Sequence, residues 1–240
     1  TGGPLVISTD YGQTWQSKYP AGNLPTISWF SVASSSDGSR LVAGMFGGGV
    51  YVSSDSGNSW TLTSLPSGTW KSLASSSDGL RLVAANTGGG LHVSSNGGTS
   101  WGQVSSLGNQ AWGSVASSAN GQYIEAGIFG GRIQTSSNYG SSWSNLSSGH
   151  FSPTIPSGNA SWRTIASNSD GTHVLAGASG GSLYVSTDAT DNFTAQTIPA
   201  PTGFSSQPSG NVSQWACAAQ DSDGSQYLAG IYGGRLYIYH

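Results

Sequence analysis

The stretch that decides the fold reads Trp29-Phe-Ser-Val-Ala-Ser-Ser-Ser-Asp-Gly38, then Arg40-Leu-Val-Ala-Gly44, then Gly47-Gly-Gly-Val-Tyr-Val-Ser-Ser-Asp-Ser-Gly-Asn-Ser-Trp60. The same phrase restarts at Trp70, Trp112, Trp162 and Trp215, with starts 41, 42, 50 and 53 residues apart. That period is close to the ~40–50 residues of one propeller blade. Each copy divides into four short strands: A at Ser31–Ser34, B at Leu41–Gly44, C at Val50–Ser53, and D after Trp60. The A–B links (Asp37-Gly38, Asp78-Gly79, Asn120-Gly121, Asp170-Gly171, Asp223-Gly224) tolerate positive φ and predict hairpin turns. No stretch carries a helical period.

Working outward, the sequence predicts an all-β chain, a five-bladed β-propeller of four-stranded antiparallel blades in one domain over residues 1–240. Strand A supports the blade number. Its alternating positions are small (Ser31 and Ala33, Ser72 and Ala74, Ser114 and Ala116, Thr164 and Ala166, Cys217 and Ala219), as a narrow ring requires. The residues between them (Val32, Leu73, Val115, Ile165, Ala218) are expected to pack between sheets.

Composition narrows the function. The chain has 7 Lys+Arg against 10 Asp+Glu, so no basic face can form to neutralise phosphates, and nucleic acid is excluded as a partner. Aromatic residues make up 10%, which argues for a folded chain in spite of the low charge. No apolar run approaches the ~18 residues of a membrane span, so no membrane insertion is expected. A single cysteine, Cys217, forbids an internal disulfide and reads as a small packing residue. The opening Thr1 reads as a mature or trimmed end. Four sequons, at Asn145, Asn159, Asn192 and Asn211, are candidate N-glycosylation sites and point to an extracellular, secreted setting.

Between strands C and D stands a second motif. It reads Ser8-Thr-Asp10-Tyr-Gly12-Gln-Thr14-Trp15, Ser53-Ser-Asp55-Ser-Gly57-Asn-Ser59-Trp60, Ser94-Ser-Asn96-Gly-Gly98-Thr-Ser100-Trp101 and Ser136-Ser-Asn138-Tyr-Gly140-Ser-Ser142-Trp143. A degenerate fifth, Ser186-Thr-Asp188-Ala-Thr190-Asp-Asn192-Phe193, lacks the glycine and the tryptophan. The chain thereby resembles the Asp-box (BNR, sialidase-like) repeat propellers, a group that includes sialidases, xyloglucanases, photosystem assembly factors and lectins. The resemblance covers nearly the whole chain and implies fold far more than activity. It gives Asp10, Asp55, Asn96, Asn138 and Asp188 a structural role as acceptors of turn N–H groups, with the tryptophan packing between sheets.

Both ends fall inside a repeat. Residues Gly2–Trp15 hold a C strand that leads into a D strand, and the last copy supplies A, B and C, ending Gly233-Gly-Arg-Leu-Tyr-Ile-Tyr-His240. Residues 1–20 are therefore expected to complete the last blade and close the ring by pairing with it, which hides sheet edges. Six C-type strands (near Leu5, Val50, Leu91, Ile133, Leu183 and Leu236) then serve five blades. The surplus one extends the closing blade, is displaced, or is donated to a neighbouring chain, so self-association through it is one expectation.

Catalytic groups are scarce. Asp10, Asp55 and Asp188 lie in the boxes, and Asp37, Asp78, Asp170 and Asp223 lie in turns. Glu125, Asp191 and Asp221 remain and form no evident acid–base pair. The Arg-Ile-Pro motif and arginine triad that a sialidase would carry are missing. His92, His150, His173 and His240 share no metal-like spacing. No catalytic residue, metal or cofactor is expected.

Binding candidates gather on what blade topology makes the top face. The B–C loops carry Phe46, Phe129 and Tyr232 beside paired glycines, with Arg132 and Arg235 adjacent. Trp29, Trp70, Trp112, Trp162 and Trp215 mark the upper ends of the A strands, where they read either as ligand platforms or as packing between blades. Aromatic faces beside bare backbone amides suit sugars. Pro-rich insertions before Trp162 and Trp215, carrying Phe151 and Phe204, break the symmetry. The leading expectation is a non-catalytic, lectin-like extracellular recognition module for glycans or other extracellular proteins. The alternative is a self-assembling structural subunit of a fibre, coat or matrix, and the third reading is a glycosidase or lyase using Glu125.

Overall fold

The computed structural model describes residues 3–18, 28–146, 150–152, 160–188, 192–195, 215–232 and 236–239. The chain divides into two compact units, Thr1–Trp112 with Ala119–Gly121, and Gly113–Ser118 with Gln122–His240. In the first, β1 (Leu5–Ile7) and β2 (Gln16–Lys18) form an antiparallel hairpin. Next, β3 (Trp29–Ser34), β4 (Leu41–Met45), β5 (Val50–Ser53) and β6 (Thr61–Leu62) pair in that order as a four-stranded antiparallel sheet. The sheet β7 (Trp70–Ser75), β8 (Leu82–Asn86), β9 (Leu91–Ser94) and β10 (Gly102–Gln103) repeats it. A short 3-10 turn forms at Ser105–Leu107, and no α-helix occurs among the described residues, as the missing helical period requires.

β11 (Trp112–Ser117) leads into the second unit and pairs with β12 (Ile124–Gly131), which continues to β13 (Ile133–Ser136) and β14 (Ser144–Asn145). There follow β15 (Phe151–Ser152), β16 (Ala160–Ser167), β17 (Val174–Ser179), β18 (Leu183–Ser186) and β19 (Phe193–Ala195), with β15 added in parallel beside β19. The last sheet is β20 (Trp215–Gln220), β21 (Tyr227–Ile231) and β22 (Leu236–Tyr239). In the first repeat the predicted strands A to D appear within a residue or two of their expected limits, while β12 and β16 run further and pair with each other. All six predicted C-type strands form. The expected pairing of residues 1–20 with the last repeat is not among the described strand pairings, where β1 pairs with β2 and the last sheet has three strands. Residues 19–27, 147–149, 153–159, 189–191, 196–214 and 233–235 lie outside the described residues, and with them most of the Pro-rich insertions.

The second strand of each repeat is buried almost throughout (Val42 and Ala43, Val83 to Ala85, Val174 to Ala176). That is why these strands read as unbroken small-apolar runs rather than alternating ones. Small residues there admit the large residue of the next sheet. A Cβ on Gly44 would lie 2.7 Å from Trp70 Cβ, and one on Gly177 would lie 2.7 Å from Trp215 Cβ. Around these tryptophans sit the cores. Val42, Val50, Leu65, Leu73 and Leu82 surround Trp70, and Phe151, Tyr184, Phe193 and Ile165 surround Trp162.

The Ser-x-Asp turns are local hydrogen-bond cages. Asp55 accepts from the Ser53 hydroxyl (2.8 Å), Ser59 N–H (2.8 Å) and the Ser59 hydroxyl (2.6 Å), while Trp60 Nε1 donates to the Gly57 carbonyl at 3.1 Å. Ser56 and Gly57 both take positive φ (58° and 80°), which explains glycine at the second position. Asn96 and Asn138 reproduce the cage with an amide. Even the degenerate turn keeps it, since Asp188 accepts from Ser186 and Asn192. In that turn the fully buried Phe193 stands where the others carry tryptophan.

These bonds favour the ionised carboxylate. The side-chain and backbone bonds from Thr14 hold Asp10 at a pKa of about 2, those from Ser59 do the same for Asp55, and Ser35 and Ser39 do it for Asp37. A depressed folded-state pKa contributes stability above the unfolded value of ~3.9 that is lost as pH falls toward 2. Asp55→Asn is therefore expected to leave the melting temperature near pH 7 almost unchanged, as the natural asparagines suggest. It should flatten the acid limb between pH 4 and 2. An acid limb identical to wild type in thermal melts would contradict this account.

Candidate functional site

The B–C loops are tight and alike. In the first sheet Met45 N–H donates to Gly49 O (3.1 Å), and in the second Asn86 N–H donates to Gly90 O (3.2 Å). The residue at this place is Phe46 or Thr87, just after β4 and β8, and Phe129 or Ser179, still inside β12 and β17. It is followed by a glycine at φ of 70° to 77° (Gly47, Gly88, Gly130, Gly180), which reverses the chain. Phe46 N–H is tied to Ser28 O at 2.8 Å, and Thr87 N–H to Thr69 O at 2.9 Å, so the tips are fixed. Phe46 (58%), Phe129 (45%) and Tyr232 (78%) present exposed rings, as the sequence suggests.

The paired glycines do a different job from the one expected. Gly48 and Gly68 exchange backbone hydrogen bonds (3.1 and 2.9 Å), and Gly88 and Gly89 do the same with Gln110 (2.9 and 3.0 Å). In the second unit the same place is a strand pairing, Phe129↔Ser161 and Gly131↔Ala160. These amides are consumed in joining one repeat to the next and are not available to hydroxyls of a ligand. The candidate tryptophans are corrected in the same way. Trp70, Trp112, Trp162 and Trp215 are fully buried and Trp29 is half-buried. Trp70 Nε1 donates to Gly48 O at 3.0 Å and Trp215 Nε1 to Gly181 O at 3.2 Å. A tryptophan buries roughly 150–250 Å² of apolar surface, and packing has claimed all of it here. Phe151, expected on an exposed insertion, is likewise buried, stacked on Trp162 at 5.3 Å.

Three residues that the sequence reading left out of the site join the exposed aromatics. The pairing of four first strands shifts register just after the tryptophan, between Trp29 and Ser31, Trp70 and Ser72, Trp162 and Thr164, and Trp215 and Cys217. A bulge at that place re-aims one side chain. Here those residues are Phe30, which is exposed, and Lys71 and Arg163, which are half-buried. In the first unit Phe30 stacks on Phe46 (6.1 Å, 22°) and Lys71 Nζ stands 4.1 Å over the Phe30 ring. In the second unit Arg163 Cζ stands 5.3 Å from the Phe129 ring centre. The signal was legible only as the residue following each tryptophan, which no pattern of two- or three-residue spacing singles out. Arg132 is half-buried in the loop after Phe129, with its carbonyl accepting from Ile128 N–H at 3.0 Å. Arg235 lies outside the described residues.

An aromatic face braced by a cation can stack on the C–H face of a sugar or on an apolar side chain, and the cation can take a carboxylate. Acid–base chemistry has less to draw on. The described aspartates are all engaged in turns, and Glu125 is 1% exposed within β12. No group of three metal-ligating side chains occurs among the described residues. Of the sequons, Asn145 is exposed on β14 with its side-chain oxygen facing Gln134 Nε2, and Asn192 is exposed but bonded to Asp188 at 2.7 Å. Asn159 and Asn211 lie outside the described residues. No helix is long and apolar enough to cross a membrane among the described residues.

No family profile matches the chain, and no curated protein does. Solved structures do. The Cps50 (Swd1) beta-propeller domain of Myceliophteria thermophila superposes with a TM-score of 0.67 at 14% identity, over 92% of this chain and 67% of that one. YCF48 bound to D1 peptide gives 0.59 at 12% identity, over 88% and 63%. The GH74 xyloglucanase of Xanthomonas campestris gives 0.70 at 21% identity, over 98% and 40%, so the chain spans less than half of that enzyme's length. Likeness of this extent at such low identity is a likeness of fold, and the chain is an all-β protein of the β-propeller fold.

Proposed function

We propose that the chain is a non-catalytic extracellular recognition module that binds carbohydrate, in the manner of a lectin, on the exposed aromatic residues of its B–C loops and first-strand bulges. The single observation that carries this reading is the Phe30–Phe46 stack braced by Lys71, held on fixed loops and open to solvent. The five Trp-headed repeats are read as five blades of Asp-box type, of which three offer an exposed ring (Phe46, Phe129, Tyr232), so weak single contacts gain from multiplicity. The engagement of the aspartates in turns and the enclosure of Glu125 support a binding role over a catalytic one. Similar folds serve both kinds of role, since one neighbour is a xyloglucanase and another is bound to a peptide. An extracellular protein carrying the same chemistry, an apolar face with a carboxylate beside it, would be read by the same residues.

A glycan array with the purified chain tests this directly. Selective binding is expected, and Phe46→Ala, Phe129→Ala and Tyr232→Ala should each weaken it by about tenfold or more, the loss expected from about 1.4 kcal/mol of stacking. Circular dichroism should stay unchanged in all three. A blank array from folded protein, or binding indifferent to all three substitutions, would sink the carbohydrate reading.

A further inference from the structure

Charge is sorted along the strands. From Trp29 onward every described aspartate stands in a turn that joins the first strand of a repeat to the second, or the third to the fourth, as Asp37 and Asp55 do. Antiparallel pairing puts both turns at one end of the sheet and the B–C loop at the other. No acidic residue occurs in a B–C loop, or in the segments that lead to Trp29, Trp70, Trp112, Trp162 and Trp215. Glu125, the one glutamate, is enclosed within β12. Lys71, Arg132 and Arg163 stand at the acid-free end of their sheets. The chain as a whole is net negative (−3), so this positive charge is local.

The cations come with the rings. The B–C places of the first and third repeats carry Phe46 and Phe129, and the residue after the next tryptophan is Lys71 in one case and Arg163 in the other. In the second and fourth repeats Thr87 and Ser179 stand where the ring would be, and the residues after the next tryptophan are Gly113 and Ala216. Ring and cation are therefore present together or missing together through four successive repeats. In the first unit Lys71 Nζ stands 4.1 Å over the Phe30 ring, which is stacked on Phe46 at 6.1 Å. In the second unit Arg163 Cζ lies 5.3 Å from the Phe129 ring centre, and Arg163 Nε is enclosed without an acceptor. Arg132 follows Phe129 by three residues.

A bare ring serves any sugar through its C–H face. A cation at the ring adds discrimination, because its donors take an anionic oxygen, and a charge-assisted hydrogen bond is roughly twice as strong as a neutral one. The planar fork of an arginine suits a carboxylate or a sulfate equally. We propose that the two ring-and-cation places select acidic polysaccharide, with sugar rings bearing carboxylate or sulfate groups, over neutral glycan. The ring takes the C–H face of the sugar, and Lys71 or Arg163 takes the anionic oxygens. With no carboxylate at that end of the sheets, nothing there repels a polyanion. This selectivity rests on the carbohydrate reading proposed above and adds the charge of the ligand to it.

Binding of the purified chain to two matched pairs of polymers provides the test. One pair is polygalacturonate and its methyl ester, which neutralises the carboxylate on the same backbone. The other is dextran sulfate and dextran. The charged member of at least one pair is expected to bind about tenfold tighter or more at low salt. That advantage should shrink as sodium chloride is added, because exposed charge pairs are screened. The pair that shows it tells carboxylate from sulfate. Lys71→Gln combined with Arg163→Gln should bring the charged polymer down to its neutral partner. Lys18→Gln removes a cation that bonds to Asn58 in a Ser-x-Asp turn, and should leave the preference in place. Equal binding of charged and neutral polymers overturns the proposal and leaves the carbohydrate reading standing. A preference that survives the double substitution overturns it as well, because the charge would then be read elsewhere. Binding to none of the four polymers also overturns it, and the glycan array then decides whether the carbohydrate reading falls too.

Discussion

Replacing Trp162 by alanine is expected to cost about 3–5 kcal/mol, the range for truncating a large buried aromatic. Trp162 is fully buried, stacked on Phe151 at 5.3 Å and edge-on to Tyr184 at 5.9 Å. Phe151 in turn stacks on Phe193 at 5.2 Å, so the void opens beneath a connected aromatic cluster. Gly127 exists to admit this side chain, with a Cβ there lying 2.7 Å from Trp162 Cβ, so the neighbouring strand cannot move in to fill the space without repacking. For a chain of this length the loss corresponds to a fall in melting temperature of roughly 6–20 °C. Phe46→Ala, which removes an exposed ring, should cost less than about 0.5 kcal/mol. Calorimetry of the two variants checks the contrast. A Trp162→Ala protein within 1 kcal/mol of wild type would mean that the tryptophan is not the keystone of its sheet junction.

Glu125 should make the protein less stable as pH rises. It stands in β12 at a position that its repeats fill with Val42, Val83 and Leu175, and it is enclosed. Burial pushes its pKa up to about 8. Ser167 opposes the shift, but neither Ser167 Oγ nor Glu125 Oε2 completes a hydrogen bond. The folded state therefore holds the neutral acid while the unfolded chain ionises near 4.5. With the folded pKa raised, the carboxyl's contribution is intact below about pH 4.5, declines as pH rises toward 8, and levels off beyond it. The total is at most on the order of 5 kcal/mol. Glu125→Gln should remove this slope, and Glu125→Leu, which restores the residue type of the other repeats, should exceed wild type above pH 7. Denaturation midpoints at pH 5, 7 and 9 decide it. A wild-type midpoint that is flat or rising across that range would show that the carboxyl reaches water or a partner. Together with the aspartate turns, this places maximum stability near pH 4–5.

The repeat made most of the architecture legible. A tryptophan, a small-residue strand, an Asx-Gly turn and a Ser-x-Asp turn recur with a period short enough that each must be one antiparallel sheet. Local hydrogen bonding makes those turns nearly independent of context, so even the degenerate Asp188 turn kept its cage. The exclusion of a basic face needed only counting.

Side-chain direction was not legible. The same letters, aromatic next to glycine, describe a solvent platform and a packing knob. The sequence alone determined that the chain reverses after Phe46 and Phe129, because the glycines there require it, whereas Phe129 itself stands in β12, paired with Ser161, and not in a loop as expected. Only the tertiary structure decided that four tryptophans are buried and that the paired glycines are spent on backbone bonds between repeats. It also showed that Lys71 stands over the Phe30 ring and Arg163 beside the Phe129 ring. The physical reason is that a turn is fixed by bonds among neighbouring residues. Burial, by contrast, depends on which sheet arrives to cover a face, and that neighbour is distant in the chain.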